Sequence, residues 1–132
     1  LELGARLGGN CLPAVVSLGS GIDTVEAVIR MALGEEPDLE GGGMTAAGVR
    51  IFGCPFDGVL TAHPDRPALE GMLRSKLVDL ALDVPPGGDV RAFDQGAHRF
   101  GHALLTADSV DDLEHDFALL EKESVAWCRK RT

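Results

Sequence analysis

Glu2, Arg6 and the Gly8-Gly9-Asn10 run are the residues of this 132-residue chain whose types and spacing could do chemistry together. If Leu1, Leu3 and Ala5 form the buried side of a strand end, Glu2 and Arg6 share the opposite face, because strand side chains alternate with period two. An acid and a guanidinium so placed can pair with each other as a surface ion pair, worth about 0–1 kcal/mol. They can instead share a third party: a divalent cation on the carboxylate, a phosphate or carboxylate on the guanidinium. The glycine pair lets the backbone approach a ligand and offer N–H groups to an anion. Asn10 can contact the same ligand or close its own loop with a local hydrogen bond, and the spacing favours the loop.

Other candidates are weaker. His98 and His102 lie four apart, the spacing of a metal pair on a helix, but Gly96 and Gly101 mark that stretch as extended. His63 stands before a proline in a turn and reads as solvated. Cys54 precedes Pro55 with no base beside it, so a nucleophile is not indicated. Asp111, Asp112, Glu114, Asp116, Glu121 and Glu123 read as one solvated helix face without the ligand spacing of a calcium loop.

Composition narrows the function classes. A formal charge of −9 repels polyphosphates, which argues against nucleic-acid binding, and zero Tyr with one Trp leaves little for base stacking. The sequence holds no run of about 18 apolar residues that would span a membrane. Cys11, Cys54 and Cys128 are odd in number and widely spaced, which suits reduced thiols in a cytoplasmic setting rather than a disulfide frame.

The elements that must position these residues follow in order. After the opening strand, Cys11 to Val16 reads as a short apolar bridge. Asp23-Thr24-Val25-Glu26 has the form of a capping box, and Val25, Val28, Ile29 and Leu33 give one apolar face to a helix over 23–33 that ends at Gly34. Residues 35–43 are acidic and then Gly-rich, a linker; a domain boundary is expected at about residue 43, dividing the chain into 1–43 and 44–132.

Beyond it, residues 46–52 and 56–62 alternate as strands, with Asp57-Gly58 as a turn signal. Pro67 opens a short helix whose apolar side is Ala68, Leu69, Met72 and Leu73. Residues 77–84 read as a strand, 90–93 as a short extended piece and 99–107 as the last strand. A final helix capped by Ser109 or Asp108 carries Asp111 and Asp112 in its first turn, Arg129, Lys130 and Arg131 at its end, and an apolar stripe of Val110, Leu113, Phe117, Leu120 and Trp127. This order predicts an α+β fold, an antiparallel sheet with helices packed on one face.

The run Glu2-Leu3-Gly4-Ala5-Arg6-Leu7-Gly8-Gly9-Asn10, followed by Leu12-Pro13 and Gly21-Ile22-Asp23, resembles the end of the catalytic domain of ATP-grasp carboxylate–amine ligases. Residues 46–123 resemble the C-terminal domain that follows it in the amino-acid-ligase and biotin-carboxylase-like branch. The carriers are Ala47 to Phe52, Val84-Pro85-Pro86-Gly87 with Val90-Arg91, and Arg99 to Ala103 leading to Thr106-Ala107-Asp108-Ser109.

The resemblance implies a ligase that spends ATP to activate a carboxylate as an acyl phosphate and joins it to an amine. Glu2 matches the magnesium-binding Glu, Arg6 the phosphate- or carboxylate-binding Arg, and Gly9 the Gly that helps hold the reacting group, with Gly8 and Asn10 beside it. Gly4 stands where many members have Asn as a second metal contact. It further implies small-molecule carboxylate and amine substrates, ATP and magnesium as cofactors, and homodimers in many relatives. The nucleotide would be held by domains preceding this chain, which begins without Met in mid-strand and is expected to be a C-terminal fragment, inactive alone. The competing reading is a non-catalytic α+β module that binds a metabolite or pairs subunits.

Overall fold

A computed structural model describes residues 7–131. Two nine-residue helices come first, α1 (Leu12–Ser20) and α2 (Thr24–Ala32). Strands β1 (Ala46–Phe52) and β2 (Gly58–Leu60), helix α3 (Arg66–Glu70), and strands β3 (Lys76–Leu82) and β4 (Asp89–Val90) follow. A 3-10 turn over Gly96–His98, β5 (Gly101–Ala107), α4 (Val110–Ala126) and β6 (Cys128–Lys130) complete the chain. The strands form two antiparallel sheets, β1-β5-β3 and β4-β2-β6, so the expected α+β class with antiparallel pairing is the one found.

Both sides of the larger sheet carry a helix. Gly48 on β1 faces α4, where a Cβ would lie 2.6 Å from the Phe117 ring; only glycine lets that ring seat. Its neighbour Ala47 points the other way, toward Gly19 of α1. The core lies on the α4 side. Phe52, Phe100, Leu60, Leu105 and Leu120 are buried there, and Trp127 meets Phe52 edge-on at 5.2 Å. Cys11, Cys54 and Cys128 are free thiols, and burial, with Cys54 adding to it, pushes the Cys128 thiol up to about 12.

Local signals hold where they are chemical. Asp23 caps α2, its Oδ1 accepting from the N–H groups of Val25 and Glu26 at 3.0 and 2.9 Å. Gly34 adopts φ 76°, and the N–H groups of Gly34 and Glu35 close back onto the carbonyls of Met31 and Arg30. Ser109 caps α4 by accepting from the Asp112 N–H.

Several expectations give way. The stretch read as a bridge after Cys11 is helix α1: Pro13 fits its first turn, and Gly21 at φ 75° ends it. Its residues are apolar nearly throughout, so no polar face sets off the i, i+3, i+4 spacing of Leu12, Val15 and Val16. Glu26 does not close a capping box; it bonds Arg30 at 2.7–2.9 Å, one turn on. Residues 46–52 and 56–62 do not pair. Cys54 bridges Ala92 instead, Asp57 Oδ1 accepts from the Ala92 N–H, and β2 joins β4 and β6.

The basic residues 129–131 leave the helix: Arg129 and Lys130 lie on β6, antiparallel to β2. In the acidic run of α4, Asp116 is fully buried. Its carboxylate accepts from the backbone N–H of Arg74 (3.0 and 3.2 Å) and of Ser75 (2.7 Å), closing the loop that enters β3. Val110 and Met72, expected on apolar faces, are exposed, and so is the face of α2.

Candidate functional site

Glu2 and Arg6 lie outside the described residues, and with them the opening strand. The remaining members of that constellation, Gly8, Gly9 and Asn10, form an exposed loop running into α1. Asn10 and Cys11 both take left-handed backbone, φ 53° and 62°, a conformation Asn tolerates better than most residues. The loop closes through the Leu12 N–H on the Gly9 carbonyl at 3.1 Å, and α1 has no side-chain cap. Among the described residues none accepts from the N–H groups of Gly8, Gly9 or Asn10.

The Asn10 side chain does not close its own loop. Its Oδ1 accepts from Arg99 Nη1 at 3.2 Å, a contact across 89 residues, and Arg99 Nε pairs with Asp83 at 3.2 Å. Arg99 sits just before β5 and Asp83 just after β3, so the ends of two adjacent strands hold the loop.

From this anchor a groove runs along the smaller sheet. Arg99 lines a cavity of about 210 Å³ together with Arg91 and His98. That cavity shares Asp89, Val90, Arg91 and His98 with a larger one of about 590 Å³, which Asp57, Asp94 and Arg131 also line. The larger of the two is within the size range of small-molecule sites.

Most charges in the groove are paired. Arg131 bonds Asp89. His98, mostly buried, places Nδ1 at 2.7 Å from Asp94 and 2.9 Å from the Ala92 carbonyl, and Gln95 Nε2 lies 2.9 Å from Nε2. A proton on Nδ1 satisfies this set: Nδ1–H donates to the oxygens, and the Gln95 amide donates to Nε2. Arg91 differs. It is exposed in the groove and makes no ion pair or hydrogen bond with any described residue. A guanidinium held open in the cavity that Arg99 also lines suits a carboxylate or phosphate.

A second histidine–carboxylate pair lies on the main sheet. His102 Nε2 is 3.1 Å from Asp79, and its Nδ1 is buried without a partner. A β-bulge between Leu77 and Asp79 makes the pair, since it moves Asp79 to the His102 face of the sheet. Among the described residues no group of three His, Cys, Asp or Glu converges to hold a metal. No described helix is long and apolar enough to cross a membrane.

No family model matches the chain, and no curated protein matches it. Among solved structures, phosphoribosylglycinamide synthetase from Anaerococcus prevotii superposes with a TM-score of 0.69 at 19% sequence identity. The chain shares its fold with part of that synthetase. The match covers 90% of this chain and 30% of the synthetase chain, so this chain spans under a third of the protein it resembles. The synthetase is an ATP-grasp ligase, the class whose motifs residues 2–10 and 46–123 resemble.

Arg91 and Arg99 stand among the residues that carry the resemblance, but no binding role was read for them from the sequence. The signal available for them was thin: an arginine flanking a short strand after Pro85-Pro86-Gly87-Gly88, and another just before the last long strand.

Proposed function

We propose that this chain is the C-terminal part of an ATP-grasp ligase that activates a carboxylate as its acyl phosphate and transfers the acyl group to an amine. The observation that carries the reading is the Gly8-Gly9-Asn10 loop, fastened through Asn10 to Arg99 at the mouth of a groove that holds the unpaired Arg91. The fold shared with a ligase of that class supports it.

In this reading residues 1–43 finish the catalytic domain and 44–132 form the domain behind it. A substrate carboxylate oxygen attacks the terminal phosphorus of ATP and ADP leaves. The amine then attacks the acyl carbon and phosphate leaves. Such chemistry asks the protein mainly for position and charge neutralisation. Arg6 clamps the transferred phosphoryl or the acceptor's carboxylate with its planar fork. The N–H groups of Gly8 and Gly9 bind the same anion, and Arg91 takes the far anionic end of a substrate lying in the groove. Magnesium, when bound, neutralises phosphate oxygens, with Glu2 as one ligand and the other ligands outside the described residues. The setting is cytoplasmic and the partners are small molecules together with the nucleotide-binding domains of the longer protein.

The non-catalytic reading draws on a different observation, the exposed apolar residues of α2, which suit an assembly surface. Screening the protein that carries this chain for phosphate release, across amino acids and other small carboxylic acids with magnesium and an amine present, separates the two. The ligase reading expects release that depends on both acid and amine, and a KM for one of them raised about tenfold or more by Arg91→Ala, the loss of one charge-assisted hydrogen bond. No acid-dependent release with any pair would favour the assembly module.

A further inference from the structure

The opposite end of the main sheet carries a second polar cavity, of about 270 Å³, lined by Thr45, Arg74, Lys76, Thr106, Ala107 and Asp108. We propose that this cavity is a binding site for a phosphoryl oxyanion, either free phosphate or the phosphate of a small phosphomonoester. It lies at the Ala107 end of β5, whereas the groove of Arg91 and Arg99 lies at the Gly101 end, about 20 Å away at the rise of an extended strand. The inference is therefore independent of the ligase reading.

Strand register builds the site. Lys76 and Ala47 both lie directly opposite Thr106, and Thr45 is two residues before Ala47. Thr106 and Lys76 thus stand side by side on one face, a hydroxyl and an ammonium on adjacent strands about 4.8 Å apart, and Thr45, which also lines the cavity, adds a second hydroxyl about 7 Å further along from the position of Ala47. None of the three side chains has an ion pair or hydrogen bond among the described residues. Arg74 adds a second cation. Its only side-chain partner is Asp112, at 3.6 Å, too long for a hydrogen bond, and that carboxylate already accepts from Ser109 Oγ at 2.6 Å.

The segment bearing both cations is also fixed in place. Asp116, buried on α4, accepts from the backbone N–H of Arg74 and of Ser75, so Arg74 and Lys76 start from a positioned backbone and lose less freedom on binding. Two cations and two hydroxyls match the oxygens of a tetrahedral anion. Asp108, the carboxylate in the lining, accepts from a protonated phosphate oxygen or an ester hydroxyl.

The test titrates the chain with inorganic phosphate and, separately, with glycerol 3-phosphate against chloride at matched ionic strength. Binding is read by calorimetry and by the amide signals of Thr45, Lys76 and Thr106. The expected result is saturable binding that moves those signals, weakened about tenfold or more in the Arg74→Ala/Lys76→Ala double variant. Tighter binding of the ester identifies a phosphometabolite as the ligand; equal or weaker binding identifies free phosphate. Absence of saturable binding to either, or equal binding by the double variant, would overturn the site. Thr106→Val serves as a second, milder variant, expected to weaken binding severalfold, should the double variant fold poorly.

Discussion

The sheet with α4 and the α1–α2 corner are built from similar apolar residues and use them differently. On α4, Leu113 and Leu120 are buried against Phe52, Leu105 and Phe100. On α2, Ala27 is the buried residue, while Val25, Val28, Ile29 and Leu33 stand exposed, Leu33 by 69%. The α1–α2 corner is held mainly by polar contacts: Ser17 Oγ to Thr24 Oγ1 at 2.9 Å and Thr24 Oγ1 to the Pro13 carbonyl at 3.1 Å. Amphipathic spacing therefore marks a face to be covered, and does not say what covers it.

Mutations can sharpen that contrast. The largest effect is expected on the α4 side: Leu120→Ala should cost about 2–5 kcal/mol in denaturant unfolding, through lost transfer energy and a cavity. Asp116→Ala comes next, at about 3 kcal/mol, because the N–H groups of Arg74 and Ser75 lose their acceptor. On the α1–α2 side, Asp23→Ala should cost about 1 kcal/mol, the worth of a helix cap. Ile29→Ser should stay within about 0.5 kcal/mol in this chain. A loss at Ile29 as large as that at Leu120 would break the comparison and mean that the α2 face is covered in solution.

The smallest effect at neutral pH is at Cys128. Its folded thiol holds a proton to about 12 against an ordinary value of 9.0, so it supports the fold fully below pH 9 and loses that support as pH rises toward 12. Melting temperatures should fall across that window, and Cys128→Ala should flatten the fall; an unchanged slope would remove the burial argument.

What could be read from the residues alone divides along the same physical line. Caps and stops at Asp23, Gly34 and Ser109 are short-range chemistry and were legible. Strand partners were not: Asp57-Gly58 looks like a hairpin turn, yet Asp57 spends its carboxylate on Ala92, 35 residues away, and β2 finds its partners elsewhere. Asp116 sits among five other acidic residues of its run, yet it falls three residues after Leu113 and four before Leu120, on the buried stripe of the helix, a spacing that reading the whole run as one solvated face passes over. At the candidate site, Gly8, Gly9 and Asn10 were visible as a motif. The Asn10–Arg99 contact and the isolation of Arg91 depend on how distant strand ends meet, which no local pattern encodes.

The most direct test acts on Glu2 and Arg6 in the protein that carries this chain, by measuring acid-dependent ATP hydrolysis in Glu2→Gln and Arg6→Ala. The ligase account predicts that turnover falls about a hundredfold or more in each, the scale of losing one group that stabilises developing charge, while the melting temperature holds. Wild-type turnover in both variants would contradict it.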